Sequence, residues 1–383
     1  MDMSQILRAD SKKSQTHKLT LDERIHFHEP HLQRVSRSFA YGISRLASEL
    51  RASVGLAYLL CRVLDTIEDS RWNSLADQVE AFAGFENALR ENIATDVIAS
   101  WAKKFPGGVN EGERELLAQA PKLFAEFHSL AASEREALIS PIQSMLCGMR
   151  EYATRSGGHS ELRLRDLTDV NTYCFFVAGV VGELLTRLFL SQTESLRPLG
   201  LKMLETGLDF GLFLQKINVL KDQWGDEKEN RFLVPDRAEL IESLHANARG
   251  AFDYFISIPV SRSDYRLFCA WALYLGLATV PLIRDSKIGD EAPKLSRLKA
   301  TALGARIELS IQNDERLRAL FSELESDAWG PTAPPEAQAS VRTSRPKTES
   351  SFDNTSSSRE ILERCYSGLI DLDKVSSKLE SRS

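Results

Sequence analysis

Tyr58-Leu59-Leu60-Cys61-Arg62-Val63-Leu64-Asp65-Thr66-Ile67-Glu68-Asp69 reads as the end of an apolar helix that carries one polar line. Residues 65 and 69 are one turn apart, so both carboxylates leave the same side. The line continues backward through Arg62, Tyr58 and Arg51, while Leu56, Leu59, Leu60, Val63 and Leu64 occupy the other faces. A helix that is apolar over so much of its circumference belongs inside a helical body.

A second stretch repeats the geometry. Asp222-Gln223-Trp224-Gly225-Asp226 ends a helix containing Phe210, Leu212, Leu214 and Val219, and its polar line runs back through Asn218 and Gln215. Spacing alone is weak, because 54 acids in 383 residues give roughly eight acidic i,i+4 pairs by chance. Polar lines in helices that otherwise read as core nevertheless need partners. If both lines face one cavity, their four carboxylates require cations, since like charges do not stay bare in a low dielectric. Mg²⁺ suits such oxygen ligands and shares itself with substrate phosphates, with Mn²⁺ as the alternative. Arg37, Arg51, Arg62, Lys221 and Arg231 are placed to neutralise a diphosphate held by those metals. Glu68 sits about a quarter turn off the Asp65 and Asp69 line and is expected to hold a water or a basic neighbour.

The rest of the chain agrees with a helical body. Apolar residues recur at three and four positions from about His26 to Leu324, which predicts an all-α protein. Ser133 and Glu136 have capping-box spacing and open a helix with Leu138, Ile142, Met145, Met149 and Tyr152 on one face. Pro141 is expected to kink it and Ser156-Gly157-Gly158 to end it. From Asp169 past Phe189 the chain is almost continuously apolar, with Gly179 and Gly182 on a face that admits another backbone. Residues 1–24 are polar and expected to be flexible. Ser326 to Arg359 is rich in Pro, Ser and Thr, which predicts a linker without a core, followed by a short helical pattern at Ile361, Leu362, Tyr366, Leu369 and Ile370. One domain over 25–325 results.

Composition excludes several functions. With 48 Lys+Arg against 54 Asp+Glu the formal net charge is -6, which provides no basic field for nucleic acid. Cys61, Cys147, Cys174, Cys269 and Cys365 lack CxxC spacing, so neither disulfides nor a zinc knuckle are expected. Met1 to Thr20 lacks the apolar core of a signal peptide, which leads to the expectation of a cytoplasmic protein. Phe175 to Leu190 is the longest apolar run, but it contains Glu183 and Arg187 and falls short of the roughly 20 residues a membrane span needs. His26, His28 and His31 are expected to mark a helix entry and not a transition-metal site.

From about Leu32 to Pro281 these segments resemble the squalene/phytoene synthase family. Ser36-Arg37-Ser38-Phe39 together with residues 58–69 is similar to the family's first signature, in the Asp-Thr-x-Glu-Asp form of its squalene-forming branch. Tyr173-Cys174-Phe175-Phe176-Val177-Ala178-Gly179-Val180-Val181-Gly182 resembles the central helix, whose leading tyrosine is implicated in catalysis. Phe213-Leu214-Gln215-Lys216-Ile217-Asn218-Val219-Leu220-Lys221-Asp222 leads into the second acidic motif, and Arg231 and Pro235 keep the family spacing. Phe268-Cys269-Ala270 resembles a later pocket-lining helix. Two departures stand out: Gly225 where the second motif usually has Glu, and Phe232-Leu233-Val234, which matches neither branch's ending.

The resemblance implies a single-domain isoprenoid synthase bundle around a central cavity. It implies head-to-head joining of two farnesyl diphosphates, through presqualene diphosphate to squalene, with Mg²⁺ and NADPH, as in sterol or hopanoid biosynthesis. No GxGxxG follows a strand, so NADPH would bind outside a Rossmann motif. Catalytic roles fall on Tyr173, Asp65, Asp69, Asp222 and Asp226, and metal binding on those four aspartates and Glu68. Diphosphate contacts fall on Arg37, Ser38, Arg51, Arg62, Gln215, Asn218, Lys221 and Arg231, and the hydrophobic pocket on Phe39, Tyr58, Phe176, Val177 and Phe268. A monomer with at most peripheral membrane contact for product release is expected. The sister activities are phytoene or dehydrosqualene synthesis and terpene cyclisation, all without NADPH. A non-catalytic helical scaffold is the alternative from another class, and it would be expected to lose the metal ligands that both acidic pairs here retain.

Overall fold

A computed structural model describes residues 19–90, 100, 109–157, 161–287 and 289–330. The chain starts with α1 (Leu21–Val35), α2 (Arg37–Ser44), α3 (Ser48–Asp69) and α4 (Leu75–Arg90). After a gap in the described residues come α5 (Glu111–Ala118), α6 (Ala120–Ser129) and α7 (Ala132–Arg155). A two-residue strand β1 (Leu162–Arg163) precedes α8 (Leu167–Cys174), which runs through a π turn at Phe175–Gly179 into α9 (Val180–Ser191). A 3₁₀ turn (Glu194–Leu199) leads into α10 (Gly200–Lys228), followed by β2 (Arg231–Phe232), α11 (Arg237–Ser257), α12 (Ser263–Asp285), α13 (Arg297–Ser310) and α14 (Asp314–Trp329). The all-α expectation holds.

α3 lies in the core, as its composition requires. Leu56, Leu59, Leu60, Val63 and Leu64 have no exposed surface, and beyond Ser48 and Glu49 in the first turn only the polar line of the helix escapes burial. α9 and α10 cross backbone to backbone. A Cβ on Gly182 would lie 1.8 Å from the carbonyl oxygen of Gly207, and one on Gly211 would lie 2.9 Å from the Cα of Gly179. Glycine is therefore required at this crossing. It brings the helix that carries Tyr173 against the helix that carries the second acidic pair.

Three local expectations need correction. Ser133 and Glu136 form no capping box, because α7 begins one residue before Ser133, with Ala131 at the N-cap and no side-chain capping bond. The same helix runs through Pro141 and ends at Arg155, with Gly157 at φ +60° after its last turn, so its expected end holds. The presumed linker begins too early, since α14 extends to Trp329. The reason is tertiary: Glu325 accepts from His245 at 2.8 Å and Arg249 at 2.6 Å, and Trp329 stacks on His245 with ring centroids 4.3 Å apart. Likewise α1 starts at Leu21 behind a capping box of Thr20 and Glu23, ahead of the expected start of order. The C-terminal pattern at Ile361–Ile370, Cys365 and the rest of the presumed linker lie outside the described residues.

Two helical stretches, Leu167–Ser191 and Ser263–Asp285, are long and apolar enough to cross a membrane by length and composition alone. Burial inside the bundle, 78% and 50% of their most apolar windows, accounts for that composition. Cys61, Cys147, Cys174 and Cys269 are buried free thiols. His28 is buried and bonds through Nε2 to Glu126 at 2.8 Å, and among the described residues no group of three or more His, Cys, Asp or Glu forms a metal site.

Candidate active site

The C-terminal ends of α3 and α10 form separate walls of a cavity of about 870 Å³. α3 contributes Arg62, Asp65, Glu68 and Asp69, and α10 contributes Gln215, Asn218, Asp222 and Asp226. Each set sits on one helical face, so the two polar lines read from the sequence do meet across one space. Tyr173 and Val177 enter from the α8–α9 helix, and Arg231 enters from β2. The Arg231 guanidinium donates to the Tyr173 hydroxyl at 2.9 Å and lies 3.8 Å from Glu68. Glu68 thus faces a basic neighbour, as its offset from the aspartate line suggested.

The basin has an electrostatic deficit. Six carboxylates line it, counting Glu229, against the four basic side chains Arg62, Arg71, Lys228 and Arg231. Burial drives the Asp65 carboxyl up to about 7, against the pull of Arg62 and with a further push from Asp69. Its side chain keeps 28% of its surface, open to the cavity, with protein packed around the rest. Asp226 is raised to about 6, first by burial, against Arg231 and with Asp222 adding to the rise. Burial also raises Glu68, opposed by Arg231. The phenol of Tyr173 is pushed well above its usual value by burial and by the negative Glu68 beside it.

A second, apolar cavity of about 230 Å³ continues inward. Phe39, Tyr58, Val177 and Phe268 line it as anticipated, and Arg62, Asp65, Val177, Gln215 and Asn218 border both spaces. Phe176 does not line it. The π turn directs Val177 and Ala178 to the cavity and packs Phe176 against Gly148, where a Cβ would come within 2.2 Å of the ring. Met145 on α7 lines the apolar cavity, although its helical stripe marked it only as core.

Other predicted contacts fall elsewhere. Arg51 is paired with Glu29 and lines neither cavity. Lys221 lies on a neighbouring cleft with Trp224 and Lys294, 3.3 Å from both Asp222 and Asn218. The side chains of Arg37 and Ser38 lie outside the described residues. Arg71 and Lys228 were missed, and each follows an acidic pair by two residues, a symmetry visible in the sequence.

This geometry can be set beside known proteins. The squalene/phytoene synthase family model matches residues 32–238. The chain belongs to that family. Squalene synthase of Bos taurus is 33% identical over 205 residues, 54% of this chain and 45% of that protein. Squalene synthase of Eremothecium gossypii is 30% identical over 277 residues, 66% of this chain and 60% of that protein. The chain thus spans about half the length of the curated relatives it matches. Among solved structures, the complex of TcSQS with the ligand BPH1237 superposes with a TM-score of 0.61 at 24% identity, over 80% of this chain and 98% of that one. A dehydrosqualene synthase complex superposes with a TM-score of 0.52 at 19% identity, over 76% of this chain and 98% of that one. Both share the fold.

Proposed function

We propose that this family member joins two farnesyl diphosphates head to head and reduces the product to squalene. The observation that carries this reading is the junction of the two cavities. A polar basin suited to diphosphates opens, past Asp65 and Asn218, directly into an apolar space suited to prenyl chains.

The residues present fit divalent cations. Raised carboxyl groups at Asp65 and Asp226 mark a basin short of positive charge. Among the described residues no three acids close on a single point, so bound ions would keep positions open for phosphate oxygens and water, as Mg²⁺ prefers. Asp65, Asp69, Asp222 and Asp226 would hold the ions, with Glu68 engaged by Arg231. When bound, Mg²⁺ or Mn²⁺ would neutralise the charge that develops on a departing diphosphate.

The chain's own groups have separate tasks. Arg231, Arg62, Gln215 and Asn218 line the basin as hydrogen-bond donors for phosphate oxygens. Tyr173 retains its proton at neutral pH, and its oxygen accepts from Arg231, so its O–H is set to donate within the cavity. Removal of a proton by Tyr173, the role implied by resemblance, needs an additional base because burial opposes the phenolate. Tyr58, Val177, Met145 and Phe268 shield a cationic chain from water.

A non-reductive sister reaction is the second reading, favoured by Gly225, which leaves open space beside the aspartates, and by Phe232-Leu233-Val234. Purified protein with farnesyl diphosphate and Mg²⁺, with and without NADPH, followed by mass spectrometry of extracted products, separates the two. Squalene with NADPH and presqualene diphosphate without it is the expected result. A product indifferent to NADPH moves the function to the sister reaction, and no turnover of either farnesyl or geranylgeranyl diphosphate overturns both.

A further inference from the structure

We propose that the ion pair between Arg155 and Asp169 is a positioning device that locks a short strand pair so that Arg231 meets Tyr173. The inference rests on the function proposed above. Asp169 lies one turn before Tyr173 on α8, and its carboxylate is 1% exposed. It accepts both Arg155 Nη1 at 2.7 Å and Nη2 at 2.6 Å, a two-pronged contact. The same Nη2 donates to the main-chain oxygen of Arg163 at 2.5 Å.

Arg163 belongs to β1, which pairs in parallel with β2: Leu162 lies opposite Arg231, and Arg163 opposite Phe232. The amides of Leu162 and Leu164 donate to Asn230 at 2.9 Å and Phe232 at 3.0 Å. Two residues per strand are too few to hold such a ladder by themselves. The rigid guanidinium fork supplies what the ladder lacks. A closed circuit results, from Tyr173 along α8 to Asp169, through Arg155 to β1, across the ladder to β2, and through Arg231 back to the Tyr173 hydroxyl. Neither Arg155 nor Asp169 lines either cavity, so any effect on the reaction must pass through Arg231 and Tyr173.

Arg155→Lys in the full chain separates positioning from charge balance, because it keeps a cation beside the buried Asp169 but loses the fork. With farnesyl diphosphate and Mg²⁺, kcat is expected to fall about 10- to 100-fold with KM within about threefold. Amides of residues 162–164 should exchange hydrogen about tenfold faster. In an Arg231→Lys background the same substitution should change kcat by less than about twofold, since the pathway is already cut. Wild-type kcat and exchange in Arg155→Lys, or losses that multiply independently of Arg231, overturn the proposal. If wild type shows no turnover, the proposed function fails and exchange alone decides: faster exchange upholds the lock, and unchanged exchange overturns it. Should Arg155→Lys lose its circular dichroism signal, Asp169→Asn replaces it in each measurement.

Discussion

Half-buried Asp65 and fully buried Lys216 are both ionisable residues on core helices, yet they serve opposite ends. Asp65 opens to the cavity, and the proposed metal site needs its charge there. Asp65→Asn and Asp222→Asn should each retain the helical circular dichroism of wild type while lowering Mg²⁺-dependent kcat by about 100-fold or more. Unchanged turnover in either would remove the residue from the metal set. Lys216 faces away from the cavity, donating to Ser243 at 2.5 Å and Asn247 at 2.6 Å. Burial drives its amine down to about 8 from an ordinary 10.5, opposed by Cys174 and Asp209. Between those values the unfolded chain holds a proton that the folded chain has released, so this group makes stability rise with pH across that window. Urea unfolding of wild type and Lys216→Met at pH 7 and pH 10.5 should therefore show wild type gaining on the variant by on the order of 3 kcal/mol. A gap that does not change with pH would refute the depressed amine.

At the scale of elements, the α9–α10 crossing and the π turn place the site. Gly182→Ala must separate the two backbones, because its Cβ would overlap the Gly207 carbonyl. A loss of roughly 1–3 kcal/mol is expected, seen as a lower melting temperature, together with a fall in kcat as Tyr173 moves relative to α10. Retention of wild-type melting would mean that the crossing tolerates a methyl group. Gly179 and Gly182 were legible as a close-approach face because small residues stood out in an apolar helix. The π turn was not legible, and it is why Val177 lines the apolar cavity while Phe176 packs against Gly148. A single extra residue in a helical turn changes which side chain faces the cavity without leaving any periodic trace.

Across the whole molecule, the proposed function depends on the way a polar basin and an apolar space join. Val181 lines only the apolar space, so Val181→Phe should reduce its length without touching the carboxylates. The expected outcome is a loss of kcat/KM for farnesyl diphosphate at least about fivefold greater than for the shorter geranyl diphosphate. Equal losses would place the prenyl chain elsewhere. Closure of the bundle also depends on its last helix, where Trp329 covers His245 and donates to Ile241 at 3.2 Å. Trp329→Ala should lower stability by about 1–3 kcal/mol, measured by thermal unfolding, and unchanged melting would return this segment to the linker.

The sequence alone determined that the protein is helical, that α3 and α10 are core helices with one polar line each, and that those lines end in paired aspartates. These features are local, since periods of three and four residues and i,i+4 spacing need no knowledge of neighbours. Tertiary structure decided which basic residues join the carboxylates. Arg231 reaches Tyr173 because a two-residue ladder spans 69 positions of sequence between Leu162 and Arg231, whereas Arg51, on the correct helical line, turns to Glu29. Long flexible cations take the nearest available carboxylate in space, and only packing of the chain determines which one that is.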